Sequence, residues 1–153
     1  MEKSVEQIKS TERETQATFK EEIPSQYFSH LNAKEFERFS QQAETYYREL
    51  FKFPKEMFKG KELIDFGAGT GENTVYLSNW GANCTLVEMN DLSQNISKEV
   101  FKKYSKNSSN TNYILSSIFD YQPNDAKKYD IVHSRGVLSH TAAKEKAFQH
   151  IAS

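Results

Sequence analysis

The chain has 153 residues, 37% hydrophobic and 27% charged, which is enough for one globular domain with a buried core. Twenty basic residues against 21 acidic ones give a formal net charge of −1, which excludes a global attraction for nucleic acid or an anionic membrane. No run of about 18 apolar residues spans a bilayer, the start Met1-Glu2-Lys3-Ser4-Val5-Glu6 has no apolar signal-peptide core, and the lone Cys84 can form no internal disulfide. No Cys/His set has zinc spacing, so no metal is expected, and a reducing cytoplasmic setting is the default.

Residues 1 to about 22 are dense in Glu, Lys, Gln and Thr, with Val5, Ile8 and Phe19 as the sizeable apolar groups. The pattern is that of a frayed or loosely docked helical tail, interrupted by Pro24. From 33 to 51, Phe36, Phe39, Ala43, Tyr46, Tyr47 and Leu50 recur at helical spacing, with Asn32 placed to cap the helix. Pro54 and an aromatic-rich stretch lead to a first strand, Glu62–Phe66. Then come a helix over 73–79 closed by Gly81, a strand over 84–88, a helix over 92–104 and a polar connection over 105–112. Strands over 113–116 and 129–134 and a helix over 141–152, carrying Ala147, Phe148 and Ile151, complete the chain. The alternation predicts an α/β fold: a Rossmann-like parallel sheet with right-handed crossovers and helices on both faces, preceded by N-terminal helices. Residues 1–54 form a helical tail and cap, and 55–153 the sheet domain.

The chemistry concentrates at the carboxyl ends of the strands, where ligands of open α/β sheets bind. The segment Asp65-Phe66-Gly67-Ala68-Gly69-Thr70-Gly71-Glu72-Asn73 ends a strand in an acid and then places glycine at every second position. Glycine lets the backbone turn sharply and admit a ligand against bare main chain. Unpaired N–H groups at the following helix start would suit an anionic ligand group. The nicotinamide fingerprint is G-x-G-x-x-G, and counted from Gly67 its last glycine is replaced by Glu72. Glu88, at the end of the second strand, can accept hydrogen bonds from both hydroxyls of a ribose. After the third strand come Ser117, Ile118 and Phe119, with Asp120 following; an apolar residue here can cover one face of an adenine ring while a nearby polar group reads the exocyclic amine. After the fourth come Ser134-Arg135-Gly136-Val137-Leu138-Ser139-His140. His140 is the first candidate for a substrate-facing catalytic group, with Arg135, His133 and Tyr47 behind it. His140 reads equally well as a cap for the helix beginning near Thr141, His133 as a packed strand residue, and Arg135 as the partner of a nearby acid. The aromatics of 33–51 read as core and lid packing, and Cys84 as a small buried hydrophobe.

In their order, the Asp65-to-Gly71 motif, Glu88, Ser117-Ile118, Tyr129-Asp130-Ile131-Val132 and Gly136-Val137-Leu138-Ser139-His140 resemble the successive motifs of small-molecule class I S-adenosylmethionine (SAM) dependent methyltransferases, over roughly residues 55–150. The resemblance implies SAM as cofactor, with S-adenosylhomocysteine (SAH) as product. It implies that Gly67, Gly69 and Gly71, with Ala68 between them, cradle the methionine part and that Asp65 orients the loop. It further implies that Glu88, with Met89 beside it, holds the ribose, that Ile118 packs on adenine near Ser117, and that Ser134 lines the same site. Many relatives carry an acid at the Ser117 position, so here Ser117 or Asp120 has to serve.

The family's sheet usually runs 3-2-1-4-5-7-6, and the nineteen residues after Ser134 leave no sequence for strands five to seven. The expected order is 3-2-1-4 with the fourth strand on an edge, as in a chain truncated after that strand or completed by an oligomer or partner chain. The resemblance implies methyl transfer from SAM to a small-molecule acceptor, with no nucleic acid or membrane partner. The alternatives are a non-catalytic SAM- or SAH-binding fragment or half-domain and, disfavoured by Glu72, a nicotinamide oxidoreductase.

Overall fold

The structure, a computed structural model, describes residues 4–21, 33–122 and 128–152. Pro24 and Asn32 lie outside the described residues.

Helix α1 (Val5–Glu21) replaces the expected loose tail with a capped and docked element. Ser4 and Gln7 form a reciprocal cap: the Gln7 N–H donates to Ser4 Oγ at 3.3 Å, and the Ser4 N–H to Gln7 Oε1 at 2.9 Å. Ile8 is buried at 7% exposure, and Gln16 Nε2 donates to the Met89 carbonyl at 2.8 Å. Helix α2 (Ala33–Ala43) continues into a π-helical segment, Glu44–Leu50, which buries Tyr47. Phe36 anchors α2 by stacking on Tyr104 at 4.1 Å.

Four parallel strands follow: β1 (Glu62–Phe66), β2 (Asn83–Glu88), β3 (Thr111–Leu115) and β4 (Ile131–His133), in the order β3-β2-β1-β4. Order and direction are those expected from the sequence. Boundaries shift where polar residues pair. β3 starts at Thr111 because the ladder partner of Cys84 is Thr111, and an outer strand tolerates the exposed Asn112 that follows. Asp130 pins the start of β4: its N–H donates to the Glu62 carbonyl at 2.8 Å, and its carboxylate accepts the Glu62 N–H at 2.9 Å.

Side chains alternate across the sheet and build two cores, as a parallel sheet covered on both faces requires. Leu63, Cys84 and Leu86 face Val75, Leu77 and Phe101 on helices α3 (Val75–Asn79) and α4 (Asp91–Tyr104), with Tyr47 and Phe58 in the same cluster. Ile64, Phe66 and Val87 face Ile118, Tyr121 and, on helix α5 (Lys144–Ala152), Ala147 and Ile151. Burial pushes the Cys84 thiol up to about 12, consistent with its reading as a small hydrophobe. Helix α3 is shorter than the expected 73–79 because the Gly71 carbonyl takes both the Thr74 and Val75 N–H groups, so residues 71–74 form a turn. A 3-10 turn, Leu138–His140, separates β4 from α5. His140 therefore does not cap α5, whose first turn closes from the Ala147 N–H to the Ala143 carbonyl at 2.9 Å. No helix among the described residues is long and apolar enough to cross a membrane.

Candidate functional site

Beyond the carboxyl ends of β1, β2 and β4 lies a cavity of about 200 Å³. The glycine loop forms its floor. Gly67, Gly69 and Gly71 have φ of +69°, +57° and +79°, values that side-chain-bearing residues rarely adopt. Four of the loop's N–H groups are spent inside the protein. Those of Gly67 and Ala68 donate to the Val87 carbonyl at 2.8 and 3.2 Å, that of Gly69 to Glu88 Oε2 at 2.8 Å, and that of Gly71 to the Ala68 carbonyl at 2.9 Å. At these four positions the donors are taken, which leaves fewer main-chain amides for a pyrophosphate.

Glu88 is the hinge of the site. One oxygen accepts from Gly69, and the other accepts the Asn90 N–H at 2.9 Å. Asn90 in turn caps α4, its Oδ1 accepting from Leu92 and Ser93. Burial pushes the Glu88 carboxyl above the usual range, against the pull of the Asn90 and Gly69 N–H groups. Each carboxylate oxygen keeps a further acceptor site for a ligand hydroxyl. Val87, Met89 and Ile118 extend this wall with apolar surface.

The opposite pole is polar. Glu72, Asn73, Arg135, His140 and Thr141 line it. Glu72 accepts the Thr70 hydroxyl, and burial pushes its carboxyl upward. Arg135 donates to Asn73 Oδ1 at 2.6 Å, and its guanidinium sits 4.3 Å from the Tyr46 ring centroid and beside the Tyr47 hydroxyl.

Of the sequence-predicted site residues, Gly67, Ala68, Gly69, Glu88, Met89, Ile118, Arg135 and His140 line the cavity. Asp65, Gly71, Ser117 and Ser134 stand behind it. Ser134 Oγ donates to the Phe66 carbonyl at 3.2 Å, and Gly71 lies under the Phe101 ring. Ser117 and Asp120 face a second cavity, which Lys9, Glu12 and Arg13 also line. Glu72, Asn73, Glu12 and Thr15 line the main cavity without having been singled out as site residues. The place of Glu72 directly after the last loop glycine was a signal for it. Glu12, 53 positions before Asp65 (65 − 12), had none.

Asp65 holds the loop from beneath. Its carboxylate, 2% exposed, accepts from the Thr74 hydroxyl and lies 2.8 Å from His133 Nδ1. The Tyr47 hydroxyl is 3.0 Å from His133 Nε2. Tyr47 and His133 thus join the helical cap to β4 and β1, away from the cavity lining. Burial pulls the His133 pKa down and Arg135 acts the same way, but Asp65 outweighs both and raises it above the usual histidine value. A raised folded-state value means protonated His133 stabilises the fold fully below pH about 6.5 and loses that contribution as pH rises through the higher folded value. His133→Gln is expected to flatten this part of the melting temperature's pH dependence. A slope unchanged in the variant would sink the assignment.

A family model described as a methyltransferase domain matches residues 36–153. Among solved structures, magnesium protoporphyrin IX methyltransferase from Synechocystis PCC 6803 with bound SAM is similar, with a TM-score of 0.65 at 16% identity over 93% of this chain and 70% of that one. Its structure with bound SAH gives 0.67 at 15% identity, over 93% and 67%. Phosphoethanolamine N-methyltransferase 1 from Haemonchus contortus gives 0.61 at 16% identity, with this chain spanning 92% of its own length and 28% of that chain. At such identities the likeness is one of fold. No curated protein matches the chain. The family match takes in the sheet, the glycine loop and the cavity lining apart from Glu12 and Thr15, and the chain belongs to the methyltransferase domain family.

Proposed function

We propose that the chain binds SAM in this cavity and methylates a small-molecule acceptor. One observation carries the reading: the cavity's acids are Glu12, Glu72 and Glu88, while the N–H groups of Gly67, Ala68 and Gly69, which line it, are already engaged. Such a lining suits a cationic ligand rich in donors and disfavours a dinucleotide pyrophosphate. When bound, SAM supplies a methyl group already activated on a sulfonium. The residues have the simpler task of holding and aiming. Glu88 accepts from the ribose hydroxyls, and Val87 and Ile118 cover the adenine. The Gly67-to-Gly71 loop backs the methionine part, with Asp65 bracing it from below. Arg135, fixed by Asn73 and Tyr46, and the exposed His140 face the acceptor; His140 accepts a proton where the acceptor must lose one. Residues 1–54 serve as the cap of this site, on a domain formed by 55–153.

The second reading is a SAM- or SAH-binding half-domain completed by another chain. It is favoured by β4, which forms one edge of the sheet and leaves Val132 49% exposed. The balanced charge supports a partner other than nucleic acid.

Calorimetric titration separates the ligand classes. SAH is expected to bind and NADH not, and binding of NADH alone would overturn both readings. Methyl transfer from labelled SAM to small-molecule acceptors by this chain alone would support the first reading over the second.

A further inference from the structure

We propose that Glu12, on helix α1, reads the exocyclic amine of the adenine ring. The proposal rests on the SAM reading above and names a specificity determinant of that same site. The amine presents two N–H donors and needs an acceptor at the Val87–Ile118 end of the cavity. The residues expected to supply one are committed elsewhere. Ser117 Oγ spends its single donor on Glu12 and accepts the Phe119 N–H at 3.0 Å. Asp120 is exposed and lines the second cavity, outside the lining of the first.

Glu12 lines the main cavity with Val87, Met89 and Ile118, and three independent contacts hold it there. Ser117 donates to its Oε1. One turn before it, Ile8 is buried; one turn after it, Gln16 Nε2 bonds the Met89 carbonyl at 2.8 Å. Residues 8, 12 and 16 share one helix face, so burial at one end and a hydrogen bond at the other fix the carboxylate between them. A carboxylate has about four acceptor sites, of which Ser117 uses one. The acceptor that Ser117 and Asp120 do not offer thus comes from the N-terminal helix.

The test is binding of SAH and of its deaminated analogue, S-inosylhomocysteine, by the full chain, followed calorimetrically. The analogue carries a keto oxygen in place of the amine, which a carboxylate repels. The unaltered chain is expected to prefer SAH by about tenfold or more, and Glu12→Ala to lose most of that preference. In Glu12→Gln the side-chain amide can turn its NH₂ toward the keto oxygen, so the analogue gains relative to SAH. A role limited to docking α1 would weaken both ligands equally in both variants and leave their ratio unchanged; that result overturns the inference while the SAM reading stands. Failure of SAH to bind the unaltered chain overturns the reading itself, and the inference with it. Circular dichroism melting identifies any variant that fails to fold, and Glu12→Gln, which keeps an acceptor for Ser117, then carries the comparison.

Discussion

Glu88→Ala is expected to weaken SAH binding by about 10- to 100-fold and also to destabilise the free chain. The binding loss follows from removing a charged acceptor for the ribose, worth roughly 1.5–3 kcal/mol. The stability loss follows from the partners left behind. The Gly69 and Asn90 N–H groups, 2.8 and 2.9 Å from the carboxylate, lose their acceptor in a buried setting, at about 1–3 kcal/mol for each group that water cannot reach. Calorimetry reads the first effect and thermal denaturation the second. SAH affinity within about twofold of the unaltered chain would show that the ribose is held elsewhere, whatever happens to the melting temperature.

Gly67→Ala is expected to be the most damaging of the loop substitutions, costing about 2–5 kcal/mol of stability and abolishing SAH binding. Two costs add. Gly67 has φ of +69°, where a side chain costs about 1–2 kcal/mol. A Cβ there would also lie 2.3 Å from Val137 Cγ2 and 3.2 Å from Val137 Cβ, so rotating the valine does not clear the clash. Val137 must move, and it carries the segment between Arg135 and His140. Gly69 is the control: its φ is +57°, but nothing lies within 4 Å of an added Cβ, so Gly69→Ala incurs only the conformational cost. Equal losses of melting temperature in the two variants would refute the steric argument.

The contrast between these glycines shows how much was legible in sequence. Alternate glycines after an acid-ended strand announce positive φ, because no other residue adopts it cheaply. They do not tell which glycine meets Val137, since that neighbour lies 70 positions away (137 − 67). Glu88 was legible for the same local reason, as an acid ending an apolar strand. The Ser4–Gln7 cap of α1 was also written locally and was outweighed by the polar composition of the tail. Ser117 was read as a ligand contact, and the structure places it behind the cavity, bonded to Glu12.

By itself the sequence determined the parallel sheet, its order and the loop at its carboxyl edge, because hydrophobic period, glycine conformation and strand-end chemistry act over a few residues. Tertiary structure alone decided how the site is enclosed. It set Glu12 against Ser117, tied Asp65 through His133 to Tyr47, and spent the N–H groups of Gly67, Ala68 and Gly69 on Val87 and Glu88. Those contacts join residues far apart in the chain. Their partners are chosen by how the sheet and helices pack, and no periodicity or spacing along the chain records that choice.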